Sequence, residues 1–318
     1  MITIWAPDGV GEVRRGDDLA EHLLAGSGAD LAEGDVVCVT SKVVSKAEGR
    51  VVAVDRAEAI VHETRRLVAR RGSLDVVVNR LGLTLAAAGV DASNVEPGHV
   101  LLLPEDPDRT ARNLRSAIAA RRSVNVGVLV TDTAGRPWRE GQTDIAIGAA
   151  GLRVLDDHAG RVDPYGNVLL VTAPAVADEL AGAAELAAGK LGRRPFVVVR
   201  GRADLVLPPG DDGPGAAGLL RPQDADLFGL GSREAVVTAL RGSSGDRSVF
   251  GAPADPEELA GLLTGLLTGA EVSGAPGAVQ ITAVEGRARW VAEVAAYAHG
   301  WEVATDAGSR VRLRPATP

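Results

Sequence analysis

Eight short apolar runs bounded by glycine, proline or aspartate most constrain what this chain of 318 residues can fold into. They fall at 2–6, 35–40, 51–54, 75–78, 100–103, 124–131, 167–172 and 195–200. Runs of this length, rich in valine, leucine and isoleucine, are strand signals. Between several of them the period becomes helical. Residues 55–72 place Ile60, Val61, Thr64, Leu67 and Val68 on one face and close on basic residues and Gly72, a helix-end signature. Residues 107–122 open on Pro107-Asp108 and align Ala111, Leu114 and Ile118, while 174–190 is alanine-rich and ends near Gly189. Strict β-α-β alternation is missing, so the pattern predicts a mixed α+β core and not a doubly wound sheet. No internal repeat is visible.

Hydrophobic residues make up 46% of the chain but aromatics only 3%, so the core must be aliphatic. A net charge of −8 argues against a dedicated nucleic-acid binder, and anionic substrates would need local basic residues or metal ions. The lone Cys38, inside the apolar run DVVCVT, excludes an intramolecular disulfide framework and reads as a core residue. Five scattered histidines (His22, His62, His99, His158, His299) lack metal-ligand spacing, which argues against zinc. The N-terminus has no signal-peptide pattern and no apolar run reaches 18 residues, so a cytoplasmic protein with no membrane segment is expected.

The Gly/Ser/Pro stretch at 241–256 reads as a linker. A Leu-rich helix (257–269), a strand, a helix and a hairpin follow it. The expected division is therefore a main domain over 1–245 and a small C-terminal α+β extension over 246–318, whose role is not legible.

Five segments concentrate polar groups beside apolar runs. GVGEVRRGDDL (9–19) is a glycine-flanked loop before a helix capped by Asp17 or Asp18. It can present backbone N–H groups to phosphate, or be a plain turn. In VTSKVVSKAEGR (39–50), Lys42 and Lys46 are four apart, so on a helical turn both point the same way. They read either as a phosphate clamp or as a solvated basic turn. In AAAGVDASNVEPG (86–98), small residues allow close backbone approach to a ligand. Asp91 and Asn94 offer oxygen and amide groups there, or an Asx turn. In TDTAGRPWREGQTDIAIG (131–148), Asp132 and Thr133 stand where the strand is expected to give out. A carboxylate and a hydroxyl there suit Mg2+ or Mn2+, and Arg136 and Arg139 could neutralise a second anion. Glu185 in AAELAAGK (183–190) is a lone acid on an Ala/Gly face with Lys190 at its end, a pattern more often solvent-facing. Together the segments suggest divalent-metal and phosphate handling.

In this order, SKVVSKAEGR, AAAGVDASNV, TDTAGRPWREGQTDIAIGAAG, ADELAGAAELAAGK and RPQDADLFGLG resemble the signatures of the coenzyme F420-0:L-glutamate ligase family over roughly residues 1–245. The second and third are the specific ones. The resemblance implies a mixed α+β ligase core, an intertwined homodimer, and GTP-dependent amide formation between L-glutamate and F420-0 through an acyl phosphate. It also implies Mn2+ or Mg2+, with K+ as a further cation. Carried over by motif, metal ligands fall on Asp91, Asp132, Thr133 and Glu185. Nucleotide contacts fall on Val10, Gly11, Glu12 and Val13, on Ser41, Lys42, Lys46 and Asn94, and on Ala183, Ala184, Glu185, Leu186, Ala187, Ala188, Gly189 and Lys190. Asp132 and Arg136 are the expected catalytic pair. Two departures stand out: Val10-Gly11 where the family often has Leu-Pro, and NRLG (79–82) where it has a His-His-Gly-like turn. The second leaves open an inactive nucleotide- or F420-binding regulatory module. Related proteins often carry a flavin-binding nitroreductase-like domain of about 200 residues, which the residues beyond 245 are too few to form, so no FMN binding is expected.

Overall fold

The computed structural model describes residues 1–222, 225, 226 and 228–316, without the side chains of Asp306 and Ala307. The RPQDADLFGLG motif lies partly outside the described residues, at 223, 224 and 227. The chain forms two compact units. The first comprises Met1–Leu67 with Gly72–Leu220, the second Val68–Arg71 with everything from Arg221 onward.

The first unit runs β1 (Thr3–Trp5), α1 (Leu19–Ala25), β2 (Val36–Thr40), α2 (Ser41–Ala47), β3 (Val51–Val52) and α3 (Arg56–Glu63). After β4 (Thr64–Arg71), whose last four residues are counted with the second unit, come β5 (Leu74–Asn79), β6 (Thr84–Ala86), β7 (Val100–Leu101) and α4 (Pro107–Arg122). It closes with β8 (Gly127–Arg136), β9 (Arg139–Ala150), α5 (Val176–Ala188) and β10 (Phe196–Arg200). Its main sheet has the order β1-β10-β2-β8-β9. Only the β2–β8 pair is parallel, so the expected mixed α+β architecture is the one found.

The period-2 alternation of β2 and β8 splits the core into two layers. Val37, Val39, Val128 and Val130 pack with Leu23 of α1, Val44 of α2 and Leu114 and Ile118 of α4. Val36, Cys38 and Leu129 face the other way, onto Ala177, Leu180 and Ala184 of α5. Cys38 is buried there as expected, and desolvation together with the charge of Asp144 pushes its thiol up to about 12.

Local signals explain the helix starts. Asp18 accepts from the N–H groups of Ala20 and Glu21, Asp55 from those of Ala57 and Glu58, and Asp106 from Arg109 just before Pro107. Three expectations for the first unit need correcting. The helix expected over 55–72 stops at Glu63, and Thr64–Arg71 is strand β4. TRRLVARR alternates as well as it stripes, and buried Glu63 is tied to Arg50 and Arg80 at 2.9 and 2.8 Å, which fixes the helix end. The run 167–172 forms no strand; it folds back on 158–163 through a bridge from Val162 to Val168 and backbone hydrogen bonds such as that from the Gly160 N–H to the Leu169 carbonyl at 2.8 Å. The strand at 124–131 does not give out at Asp132 but continues to Arg136, turns at Pro137-Trp138 and returns as β9.

The second unit holds α6 (Ser232–Arg241), α7 (Pro256–Leu266), β11 (Glu271–Ala275), β12 (Ala278–Thr282), α8 (Gly286–Ala298), β13 (Trp301–Ala307) and β14 (Arg310–Pro315). Its antiparallel sheet, of order β11-β12-β14-β13, buries Val279, Ile281, Trp301, Val311 and Leu313 against Leu259 and Leu263 of α7 and Ala292 of α8. The stretch read as a linker is packed: Ser244–Phe250 forms a 3-10 helix. Phe250 stacks edge-on against Tyr297, whose hydroxyl donates to the Ser243 carbonyl. No helix among the described residues is long and apolar enough to cross a membrane.

Candidate functional site

Parallel pairing of β2 with β8 sets Thr40 opposite Thr131. Both strands run in the same direction, so the residues that follow lie side by side: Ser41, where β2 gives way to α2, and Asp132, which stays in the β8–β9 ladder. Buried Ser41 opens α2 and donates to Asp132 Oδ1 at 2.6 Å. Desolvation is the largest influence on Asp132 and pushes its carboxyl up to about 6. Ser41 and Lys42 oppose the shift, whereas Asp144 and Asp91 add to it. Asp132 is thus a carboxylate whose charge is underpaid in the isolated chain.

The helical turn expected at 41–47 forms and carries Lys42 and Lys46. Lys42 is ion-paired with Asp91 and donates to Ser93 Oγ at 2.7 Å. Lys46 donates to Glu12. Hydrogen bonding by Lys46 holds the Glu12 carboxyl below its ordinary value. Burial raises the Asp91 carboxyl, but donation by Lys42 and Ser93 outweighs it and the net shift is downward. Asp91 is anchored by paired backbone hydrogen bonds with Leu101, at 3.0 and 2.7 Å. Ser93 donates to Asp91 through both N–H and hydroxyl, at 2.8 Å each, and Asn94 donates to Ser93 Oγ.

At the other edge, α5 lies close along β9. Asp178 accepts from the Ala146 N–H at 2.9 Å, and a Cβ on Gly182 would sit 3.2 Å from Thr143 Oγ1. That approach brings the end of α5 to β8. Lys190 donates to Thr133 Oγ1 at 2.7 Å and pairs with Glu185 at 3.3 Å. Gly189 caps α5 with φ +67°, the left-handed side of the map where glycine costs nothing.

Half of the residues read from the sequence are therefore drawn together, mainly through long-range pairs: Glu12, Ser41, Lys42, Lys46, Asp91, Asn94, Asp132, Thr133, Glu185 and Lys190. Others do not face the cluster. Val13 and Ala184 are buried in the two core layers, and Leu186 is exposed. Arg136 is exposed near the hairpin tip and donates to the Glu140 carbonyl at 2.6 Å. The small residues around Ala88 do not line a ligand space. Ala88 is buried, and a Cβ on Gly89 would meet Leu103 at 2.6 Å. Among the described residues, no three histidine, cysteine or acidic side chains converge as a metal-holding group. Ammonium groups of Lys42 and Lys190 stand against Asp91 and Glu185 instead. The altered turn at 79–82 is a built element: buried Asn79 accepts from the N–H groups of Leu81 and Leu83 and donates to the Ala88 carbonyl.

Two contributors were given no role from the sequence. Ser93 links Lys42 to Asp91. Buried Asp144 sits opposite Thr133 in the β8–β9 register and accepts from Thr133 and Thr131 at 2.8 and 3.2 Å. Threonines at 131 and 133, one strand period apart, were the available signal for a shared partner across a hairpin.

Three ammonium groups interleaved with four acids form a surface that can take up a phosphate-bearing polyanion by exchange of ion partners. Residues 9–201 match the family described as F420-0:Gamma-glutamyl ligase. The coenzyme F420:L-glutamate ligase of Methanopyrus kandleri is 44% identical over 211 residues, covering 60% of this chain and 83% of that protein. Its counterpart in Methanothermobacter thermautotrophicus is 34% identical over 71% of this chain and 98% of that protein. That of Natronomonas pharaonis is 41% identical over 61% and 84%. The chain belongs to the F420-0:gamma-glutamyl ligase family.

Proposed function

We propose that this protein is a GTP- and divalent-metal-dependent ligase that joins L-glutamate to coenzyme F420-0 through an amide bond. One observation carries the reading. Segments far apart in sequence put Lys42 and Lys46 beside Asp91 and Glu12, and Lys190 beside Thr133, with Asp132 held by Ser41. The relatives' names supply the substrate pair.

A carboxylate is a poor acyl donor because its leaving group would be oxide. Transfer of the γ-phosphoryl group of GTP to a carboxylate oxygen releases GDP and gives an acyl phosphate. The glutamate amine then attacks the acyl carbon, phosphate leaves, and the nitrogen loses a proton. Lys42 and Lys46, one helical turn apart, are placed to neutralise phosphate oxygens, and Lys190 approaches from the end of α5. The donor chemistry of Asp91, Asp132, Thr133 and Glu185 fits Mn2+ or Mg2+. All four offer hard oxygens, and the raised carboxyl of Asp132 beside two further acids is the kind of charge a cation relieves. Such an ion supplies charge neutralisation on the phosphoryl oxygens. K+ is a further cation of the reaction, checked by substituting Na+.

The test is purified protein with F420-0, glutamate, GTP and Mn2+, followed by mass spectrometry. Glutamylated product with stoichiometric GDP is expected. GDP without that product overturns the ligase reading and favours a nucleotide hydrolase; tight GTP binding without turnover favours a regulatory module. The working form is a cytoplasmic homodimer. Its support is the apolar exposure of Tyr165, Leu170 and Val171, 78% or more each, and light scattering at micromolar concentration measures it.

A further inference from the structure

Thr133 has one hydroxyl proton and two polar neighbours. Lys190 Nζ, 2.7 Å away, can only donate. Asp144 Oδ1, at 2.8 Å, receives the Thr133 proton. The direction of both bonds is therefore determined, and the lone pairs of Thr133 Oγ face the Lys190 ammonium, which also contacts Glu185 at 3.3 Å. Asp144 is itself immobilised. It is buried, its backbone is paired with Thr133 in the β8–β9 ladder, and its second oxygen accepts from buried Thr131 at 3.2 Å. The close approach of α5 at Gly182, whose Cβ would stand 3.2 Å from Thr143 Oγ1 and 3.9 Å from the Asp144 carbonyl oxygen, leaves the backbone here little room to move. A buried acid that accepts from two hydroxyls on one strand is an expensive way to hold a hairpin, which two hydrogen-bonded amides or an apolar pair would hold as well.

We propose that Asp144 is a positioning residue that turns the Thr133 hydroxyl into a lone-pair donor aimed at the cation held between Thr133 and Glu185. In the structure that cation is the Lys190 ammonium. The extension to a divalent ion rests on the function proposed above. Asp144 touches neither substrate nor cation and acts through Thr133 alone.

The comparison is Asp144→Asn against Thr131→Val in the full chain. An asparagine amide can donate to Thr133 and drive its proton outward against Lys190. Thr131→Val removes only the bond on the side away from the cation. Mn2+ binding by calorimetry without nucleotide, with thermal unfolding alongside, is the readout. We expect Asp144→Asn to weaken Mn2+ binding tenfold or more and Thr131→Val to leave it within twofold, with similar losses of thermal stability. In a Thr133→Val background, Asp144→Asn should cost no further affinity. Wild-type binding by Asp144→Asn, equal weakening by both variants, or an undiminished further loss in the Thr133→Val background overturns the proposal. If wild-type protein takes up no Mn2+, the divalent-ion reading fails by itself. Crystal structures of the two variants then decide: the Thr133–Lys190 contact must be lost in Asp144→Asn and kept in Thr131→Val, and its survival in both refutes the role. Should Asp144→Asn not fold, Asp144→Ser, which removes the acceptor at lower burial cost, replaces it in every arm with the same expected outcomes.

Discussion

Ser41 donates a 2.6 Å hydrogen bond to Asp132 although the two lie 91 residues apart in sequence. The bond exists because β2 and β8 run parallel, so that Ser41, where β2 gives way to α2, falls beside Asp132 of the continuing β8, and a hydroxyl and a carboxylate that are unrelated locally become neighbours.

Asp132→Asn keeps the size of the side chain and an oxygen for Ser41 but removes the charge. The variant should fold as the wild type does. Its ligase turnover should fall by about two orders of magnitude, the usual cost of losing one electrostatic stabiliser of a transition state. Steady-state kinetics with a thermal-unfolding control measures it. Near wild-type turnover in a well-folded variant would place the site elsewhere.

The same substitution makes an opposite prediction for stability. The Asp132 carboxyl is pushed up to about 6 from 3.8, chiefly by desolvation. Between those values the native state holds a proton that the unfolded chain has released, so stability falls as pH rises from about 4 to 6 and stays reduced above. In EDTA at pH 8, Asp132→Asn should therefore be more stable than wild type by roughly 1–3 kcal/mol, discounting the full shift for the partial exposure of the site. The gain should vanish towards pH 4. Urea titrations at the two pH values check this, and an equal difference at both refutes it.

Lys42 bridges Asp91 and Ser93 from the first turn of α2. Lys42→Met keeps the aliphatic stem and removes the ammonium. The loss of a charge-assisted contact to phosphate, about 1.5–3 kcal/mol, should raise the KM for GTP by roughly tenfold or more. The KM for glutamate is the internal control. An equal rise in both constants would point to general disturbance instead of a phosphate contact.

Gly148 on β9 lies so close to the start of α4 that a Cβ there would stand 2.5 Å from the Pro107 carbonyl carbon and oxygen. Backbone on both sides cannot yield cheaply. Gly148→Ala should destabilise the first unit by about 1–3 kcal/mol or more, the range of overpacked cores. Denaturant unfolding measures it, and a neutral result would mean that α4 docks more loosely than its distances indicate.

Much of the architecture is legible from local signals. Asp106 and Pro107 ahead of the Ala111-Leu114-Ile118 stripe define α4 at the residues expected, and the apolar run at 35–40 is β2. Such features depend on neighbours within a few positions, and the chain carries them whatever it packs against. The chemistry-bearing segments were also visible as polar groups beside apolar runs. Tertiary structure decided the rest. TRRLVARR suits a helix stripe and a strand alternation alike, and the ion pairs of Glu63 with Arg50 and Arg80 end the helix before it. The β8–β9 hairpin carries Asp132 within a ladder instead of at a strand end, and so gives Thr133 its partner in Asp144. Lys42 and Lys46 share a helix face, as their spacing requires, but their partners Asp91 and Glu12 come from elsewhere in the chain. Side-chain spacing determines where a charge points. Only the packed chain determines which charge it meets, because burial sets the cost of leaving it unmet.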